Sequence, residues 1–268
     1  MNPKQQENQE WYQRWFNQVY TSLYSHRNQE QAEKQVGALL SAIENVTSIQ
    51  KVLDIACGGG RHVSALHTQL HASKDTQGIQ VIGMDLSWDL LQTMEKEVRI
   101  QNTFLRGNMK HLPFPTQCFD LVTSFFSSYG YFKTPEEDKQ ALAGMLAPLK
   151  TEGFFFLDLV NKETVLQNLV SQDSKDMGDW HVIQKRHVEK SESPVIVKDI
   201  YLHPLSNGTR EPGEPHHYQE RLRVYSQEEM ETLFKNWGFE ICHIFGSEEG
   251  EPFNKKGSPR MSFLVQKK

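Results

Sequence analysis

The stretch Val52-Leu-Asp54-Ile-Ala-Cys-Gly58-Gly-Gly60-Arg-His constrains the chain more than any other. Its apolar start reads as a short buried strand, its glycines as a tight turn, and the apolar spacing from Arg61 to Leu70 as a helix. Backbone without side chains lets a ligand come close, and amides at a helix start face it. Gly58 and Gly60 are therefore expected to line a cofactor. A β-turn-α unit of this kind belongs to a parallel sheet whose ligands sit at the carboxyl ends of the strands.

The rest of the chain extends that pattern. Strands are predicted at Gln80 to Met84, Thr103 to Arg106, Phe119 to Phe125 and Gly153 to Val160, with helices over Trp88 to about Val98 and Pro135 to Leu149. Upstream, Trp11, Trp15 and Val19, then Val36, Leu39, Leu40 and Ile43, recur at helical spacing and predict two helices separated around Tyr24 to Arg27. Between Trp180 and Val224 the pattern alternates, as in His181 to Val188 and Pro194 to Leu202, which predicts an antiparallel insertion. If Glu220 to Val224 is a strand, Glu220 shares one face with Leu222 and Val224, while Arg221 and Arg223 point the other way to pair with neighbours. The segment Ser226 to Trp237 carries a capping box, Ser226 with Glu229, and stops at Gly238; strands at Phe239 to Phe245 and Met261 to Gln266 close the chain.

The expected fold is α/β: a Rossmann-like, doubly wound sheet of about seven strands with a C-terminal antiparallel pair, N-terminal helices and a small antiparallel β insertion. Single cores stop growing at roughly 250 to 300 residues, so 268 residues suit one main domain with an appended part. Residues 1–47 are expected to form a helical lid, 48–165 with 225–268 the cofactor-binding domain, and 166–224 an insertion capping the substrate pocket.

Composition narrows the partners. No apolar run reaches the ~20 residues of a spanning helix, and the polar, aromatic N-terminus lacks the marks of a secretory signal. Three widely spaced cysteines, Cys57, Cys118 and Cys242, argue against a disulfide framework and a CxxC metal site. A cytoplasmic protein, a monomer or homodimer, is expected. The formal charge is −5, with no basic tract interleaved with aromatics, so neither nucleic acid nor membrane is an expected partner. The histidines lack partners at ligand spacing, and no metal is expected.

Asp85 ends the second strand, where an acid accepts hydrogen bonds from both ribose hydroxyls of a nucleotide-like cofactor. A nicotinamide dinucleotide is the obvious rival ligand. Counted from Gly58, the third glycine of its GxGxxG fingerprint falls on Val63, and Asp54 would repel a pyrophosphate while suiting an ammonium or ordering the loop.

An acid followed by this glycine turn resembles the first motif of class I S-adenosylmethionine-dependent methyltransferases, from about Val52 to the C-terminus. The resemblance implies S-adenosylmethionine as cofactor, Gly58 and Gly60 on its methionine part, Asp85 and Leu86 on ribose and adenine, and Asn108 and Met109 flanking the adenine. Ala56 replaces the first glycine of the usual triplet, and Asn108 stands where many relatives carry Asp. Trp15-Phe16, Leu23-Tyr24-Ser-His-Arg27, Phe125 to Phe132, Glu220 to Ser226, Gly250-Glu-Pro-Phe253 and Ser258-Pro-Arg260 look like a bacterial subfamily of such enzymes.

Methyl transfer is an in-line displacement, so the protein mainly holds nucleophile and methyl aligned, adding a base where the nucleophile carries a proton. Phe125 to Phe132 falls where the methyl projects. Tyr129 and Tyr131 either position a small-molecule acceptor and contact the sulfonium by cation-π attraction, or simply pack on the core. His216 and His217 sit in the insertion, as base or as surface residues. Tyr24, His26 and Arg27 either close over the cofactor carboxylate or end a solvated helix, and Arg61 either assists or faces solvent. The acceptor-side motif Asn-Pro-Pro-Tyr of many nucleic-acid and protein amino-methylases is absent; Ser127-Ser-Tyr-Gly stands in its place. Two other readings remain open: a binding module that senses S-adenosylmethionine without turnover, and a nicotinamide oxidoreductase.

Overall fold

The computed structural model describes residues 10–24, 29–72, 78–206, 209–211 and 213–268. Three helices, α1 (Trp11–Trp15), α2 (Gln18–Leu23) and α3 (Gln29–Ser41), precede the sheet. The sequence predicts one helix where α1 and α2 stand. The Asn17 side chain breaks it: its oxygen accepts from the amides of Val19 and Tyr20, and its Nδ2 donates to the Arg14 carbonyl.

The sheet begins with β1 (Lys51–Ile55), followed by α4 (Arg61–His71), β2 (Gln80–Asp85), α5 (Trp88–Gln92), α6 (Lys96–Gln101), β3 (Thr103–Arg106), β4 (Phe119–Ser124), α7 (Pro135–Leu146) and β5 (Leu149–Val160). A single helix is expected where α5 and α6 lie. Thr93 folds its hydroxyl back onto the Leu90 carbonyl, Arg99 caps the Leu91 carbonyl, and the chain turns between them. After α8 (Lys162–Gln167) come β6 (Gln172–Met177), β7 (Trp180–Glu189), β8 (Val195–Ser206), β9 (Thr209–Arg210) and β10 (His216–Arg223), then α9 (Gln227–Asn236), β11 (Phe239–Phe245) and β12 (Arg260–Lys267).

The main sheet has seven strands in the order β11-β12-β5-β4-β1-β2-β3. Neighbours from β5 to β3 are parallel, and β12 runs antiparallel to both β5 and β11. Strand order reverses at β1, so the crevice opens where β1 and β4 part. The period of two along each strand sends neighbours to opposite layers. Val52 and Phe156 pack with Val36, Leu39, Val63 and Leu66 of α3 and α4; Leu53 and Phe155 pack with Leu142, Met145, Met230 and Phe234 of α7 and α9.

The second sheet runs β10-β8-β7-β6, with β9 on β8. Its inner face, Val182, Ile200 and Leu202, packs against Trp15 and Leu23, so the N-terminal helices lie on the insertion. Trp15 is fully buried there, and its indole donates to Glu220, which is ion-paired to Lys198. Arg221 pairs with Glu189, and Arg223 reaches across to Asp138 on α7. The predicted pairing of the β10 charges with neighbours is thus what these side chains do.

A candidate methyl-transfer site at the strand switch point

The turn after β1 departs from ordinary backbone at three residues, Ala56 (φ +60°), Gly58 (φ +55°) and Gly60 (φ +78°). The left-handed region is free for glycine and costs an alanine roughly 1 to 2 kcal/mol. The Gly58 amide, exposed by that turn, donates to Asp85 Oδ2 at 2.8 Å, and the Ser87 amide donates to Asp85 Oδ1 at 2.7 Å. Two backbone amides therefore aim one carboxylate at the crevice. Burial still raises the Asp85 pKa, against the pull of those amides.

Asp54 lies beneath this turn, 1 % exposed. Oδ1 accepts from Thr123 at 2.8 Å, whereas Oδ2 finds no hydrogen-bond partner among the described residues. Removal from water pushes its pKa up to about 7, with Thr123 opposing and Asp85 adding to the rise. A buried carboxylate with an idle oxygen under a glycine turn suits a cationic ligand group and disfavours a pyrophosphate.

A cavity of about 980 Å³ opens over these residues. Ala56, Gly58, Arg61, Asp85, Leu86, Asn108, Met109 and Phe125 line it, as do Tyr24, Tyr131 and His217. Gly60 and Asp54 do not. The space a Gly60 side chain would fill is taken by Met94 and Phe104, so this glycine serves the close packing of turn and helix. Tyr129 is not on the cavity wall either: it is fully buried, 5.3 Å from Tyr225 in a stacked pair. Its place is the core, the bland alternative its aromatic character allowed. Arg27 and His26 lie outside the described residues.

Asn108 spends its side-chain oxygen locally, accepting from the Lys110 amide at 3.0 Å. Arg61 lies over the Phe126 ring, 4.3 Å from its centroid, and donates to Gln31. His217 bonds Asp199 at 2.9 Å across the β10-β8 pair and stacks on Tyr201 at 4.8 Å. Tyr131 meets the Trp11 ring edge-on at 4.8 Å, and the Trp11 indole donates to the Tyr131 carbonyl at 3.2 Å.

Several wall residues escaped sequence reasoning. Tyr12, Phe16 and Tyr20 face the cavity from α1, α2 and their junction, Tyr218 comes from β10, and His62 from α4. The four-residue spacing of Tyr12, Phe16 and Tyr20 is the signal that marks them as one helical stripe. His62 stacks flat on Phe125, 4.0 Å apart, and its burial lowers its pKa well below the ordinary value, so it is neutral. Among the described residues no group of His, Cys, Asp and Glu could hold a metal ion, and no helix is long and apolar enough to cross a membrane.

Residues 52–153 match the methyltransferase domain family. The chain is 25% identical over 206 residues to dTDP-3-amino-3,4,6-trideoxy-alpha-D-glucopyranose N,N-dimethyltransferase of Streptomyces venezuelae, covering 74% of this chain and 79% of that one. It is 35% identical over 111 residues to demethylmenaquinone methyltransferase of Lactiplantibacillus plantarum, covering 40% and 43%. Among solved structures, an S-adenosylmethionine-dependent methyltransferase from Clostridium acetobutylicum superposes with a TM-score of 0.71 at 18% identity, covering 93% of this chain and 96% of that one. The matched segment holds the glycine turn, Asp85 and the Asn108-Met109 pair, the residues that frame the cavity floor. Over residues 52–153 the chain carries a methyltransferase domain, and its fold is that of the S-adenosylmethionine-dependent methyltransferase it superposes on.

Proposed function

We propose that this enzyme methylates a small molecule held between its N-terminal helices and its insertion, with the methyl donor on the floor of the same cavity. The observation that carries this reading is the continuity of that cavity, which joins Gly58, Asp85 and Met109 to Tyr12, Tyr20, Tyr131, His217 and Tyr218. S-adenosylmethionine, when bound, supplies an electrophilic methyl on a sulfonium. Asp85 is the partner for its ribose hydroxyls, Leu86, Asn108 and Met109 for its adenine, and Ala56 and Gly58, with Asp54 beneath the turn, for its amino-acid end, with Tyr24 and Arg61 toward its carboxylate.

Residues 1–47 act as a lid and 166–224 as the cap of the acceptor chamber; the indole of Trp15 on Glu220 and its ring against Tyr218 support their working together. Seven aromatic rings, of Tyr12, Phe16, Tyr20, Tyr24, Tyr131, Phe132 and Tyr218, suit a ring-shaped acceptor and keep water from the transfer. Tyr131 orients that acceptor. His217, whose ring Asp199 fixes at Nε2, takes the proton from an acceptor hydroxyl or amine. Free, widely separated cysteines support a reducing, cytoplasmic setting.

Methyl-tritiated S-adenosylmethionine, offered with panels of small amines, hydroxy compounds and carbon acids, tests the assignment. Label is expected in a small molecule, and His217→Gln should slow the transfer on the order of a hundredfold with donor affinity unchanged. Label passing only to nucleic acid or protein would overturn the acceptor class. An unaltered rate in His217→Gln would remove the base.

A further inference from the structure

The backbone leaving β4 is strained just where it meets the cavity. Phe126 (φ +60°) and Ser127 (φ +56°) are consecutive non-glycine residues in the left-handed region, a conformation that persists only where the surroundings over-determine it. Phe125, Phe126 and Ser128, on either side, line the cavity. The backbone carbonyl of Asp158 accepts from the Ser127 amide at 2.9 Å, and its carboxylate Oδ2 accepts from the Phe126 amide at 2.8 Å. Asp158 lies on β5, is fully buried and is absent from the cavity wall.

Four more contacts fix that carboxylate. Arg260 Nε, Arg260 Nη2 and Ser262 Oγ reach Oδ1 at 2.9, 2.6 and 2.7 Å, and Gln35 Nε2 donates to Oδ2 at 3.2 Å; Arg260 also donates to Ser127 Oγ at 3.0 Å. A carboxylate only accepts, so the Gln35 amide must turn its oxygen to His62 Nε2, 3.0 Å away. That oxygen in turn requires Nε2 of the neutral imidazole to carry the proton, which sets the tautomer of the ring stacked on Phe125. One carboxylate therefore holds the Phe126-Ser127 turn directly and, through Gln35 and His62, the ring of Phe125.

The geometry points to Asp158 as the positioning residue of the methyl-transfer site, one that touches neither donor nor acceptor and acts by holding Phe125, Phe126 and Ser128 against the donor. The inference rests on the methyltransferase reading above. Asp158→Asn withdraws an acceptor and sets an NH₂ against the donors that converge on it. S-adenosylmethionine affinity, read by calorimetry, should fall about tenfold, and the Phe126 and Ser127 amides should exchange hydrogen faster.

Glycine adopts positive φ freely, so Asp158→Asn with Ser127→Gly should regain affinity to within about threefold of the wild type while its thermal stability stays lowered. A merely structural carboxylate gives no such rescue, and a double variant as weak as the single one overturns the inference. So does an Asp158→Asn protein with native affinity and native exchange. If that variant does not fold, Ser262→Ala, which removes one donor and keeps the carboxylate, should weaken binding about threefold and respond to the same glycine; unchanged affinity there is equally contrary. A wild-type protein that binds no S-adenosylmethionine defeats the methyltransferase reading itself.

Discussion

The two halves of the cavity are built in opposite ways. Its floor is made within one continuous stretch, from β1 to the turn after β3, and mostly of backbone: a glycine turn, the amides of Gly58 and Ser87, and one carboxylate they aim. Its roof is made of side chains from three separated segments, α1 and α2, the loop after β4, and β10, joined by contacts such as Trp15 with Glu220 and Arg223 with Asp138. A backbone-built floor tolerates change in every residue but a few. A side-chain-built roof depends on many distant pairs and is free to be rebuilt around a different acceptor.

Breaking the roof's main tie should have the largest effect on stability. Asp138 is fully buried and accepts from Arg223 Nε at 2.9 Å, Tyr225 OH at 2.8 Å and the Phe132 amide at 3.1 Å. Arg223 in turn caps the Phe132 and Lys133 carbonyls beside Tyr131. Asp138→Ala leaves a buried guanidinium unpaired, and chemical denaturation should show a loss of about 3 to 5 kcal/mol. Folded Asp138→Ala protein should still bind S-adenosylmethionine to within about threefold, because the floor owes nothing to this pair. Loss of donor binding in the folded variant would break the contrast between floor and roof.

A smaller effect sharpens the contrast from the other side. Asp54 has a folded pKa raised to about 7 by burial, so it binds its proton more tightly folded than unfolded. Its contribution to stability is full below its ordinary pKa, declines as pH rises, and is gone above about 7. The difference in melting temperature between wild type and Asp54→Asn, measured without ligand, should therefore shift against the wild type from about pH 5 to about pH 8. Neutral His62 has a lowered pKa and contributes the opposite slope in both proteins, so it cancels in the difference. A pH-independent difference would show that Asp54 is ionised throughout.

The same contrast explains what was legible in the sequence. The floor depends on local order: Asp54, Gly58 and Asp85 can be picked out from a strand end and a glycine turn, and Leu86, Asn108 and Met109 follow from the family resemblance. The seven strands and the final reversed pair follow from the alternating elements, whereas their order in the sheet is set by tertiary pairing. The roof depends on tertiary pairing, which a one-dimensional pattern does not carry. Nothing in the aromatic run Phe125 to Phe132 distinguishes Tyr131, which reaches the cavity, from Tyr129, which stacks on Tyr225 in the core. Strand β6 was likewise invisible, because Gln172 to Met177 is polar and without alternation, and forms by pairing with β7 at an exposed edge. Asp158 sits inside an apolar strand, where only the packed structure reveals its six ties.

The central claim is that Asp85, aimed by the glycine turn, holds S-adenosylmethionine, and a calorimetric titration of wild type and Asp85→Ala with S-adenosylmethionine, S-adenosylhomocysteine and NAD tests it most directly. Both adenosyl ligands should bind the wild type and NAD should not, and the substitution should weaken binding about a hundredfold, the loss of charge-assisted hydrogen bonds worth about 3 kcal/mol. Binding of NAD alone, or adenosyl-ligand affinity untouched in Asp85→Ala, would contradict it.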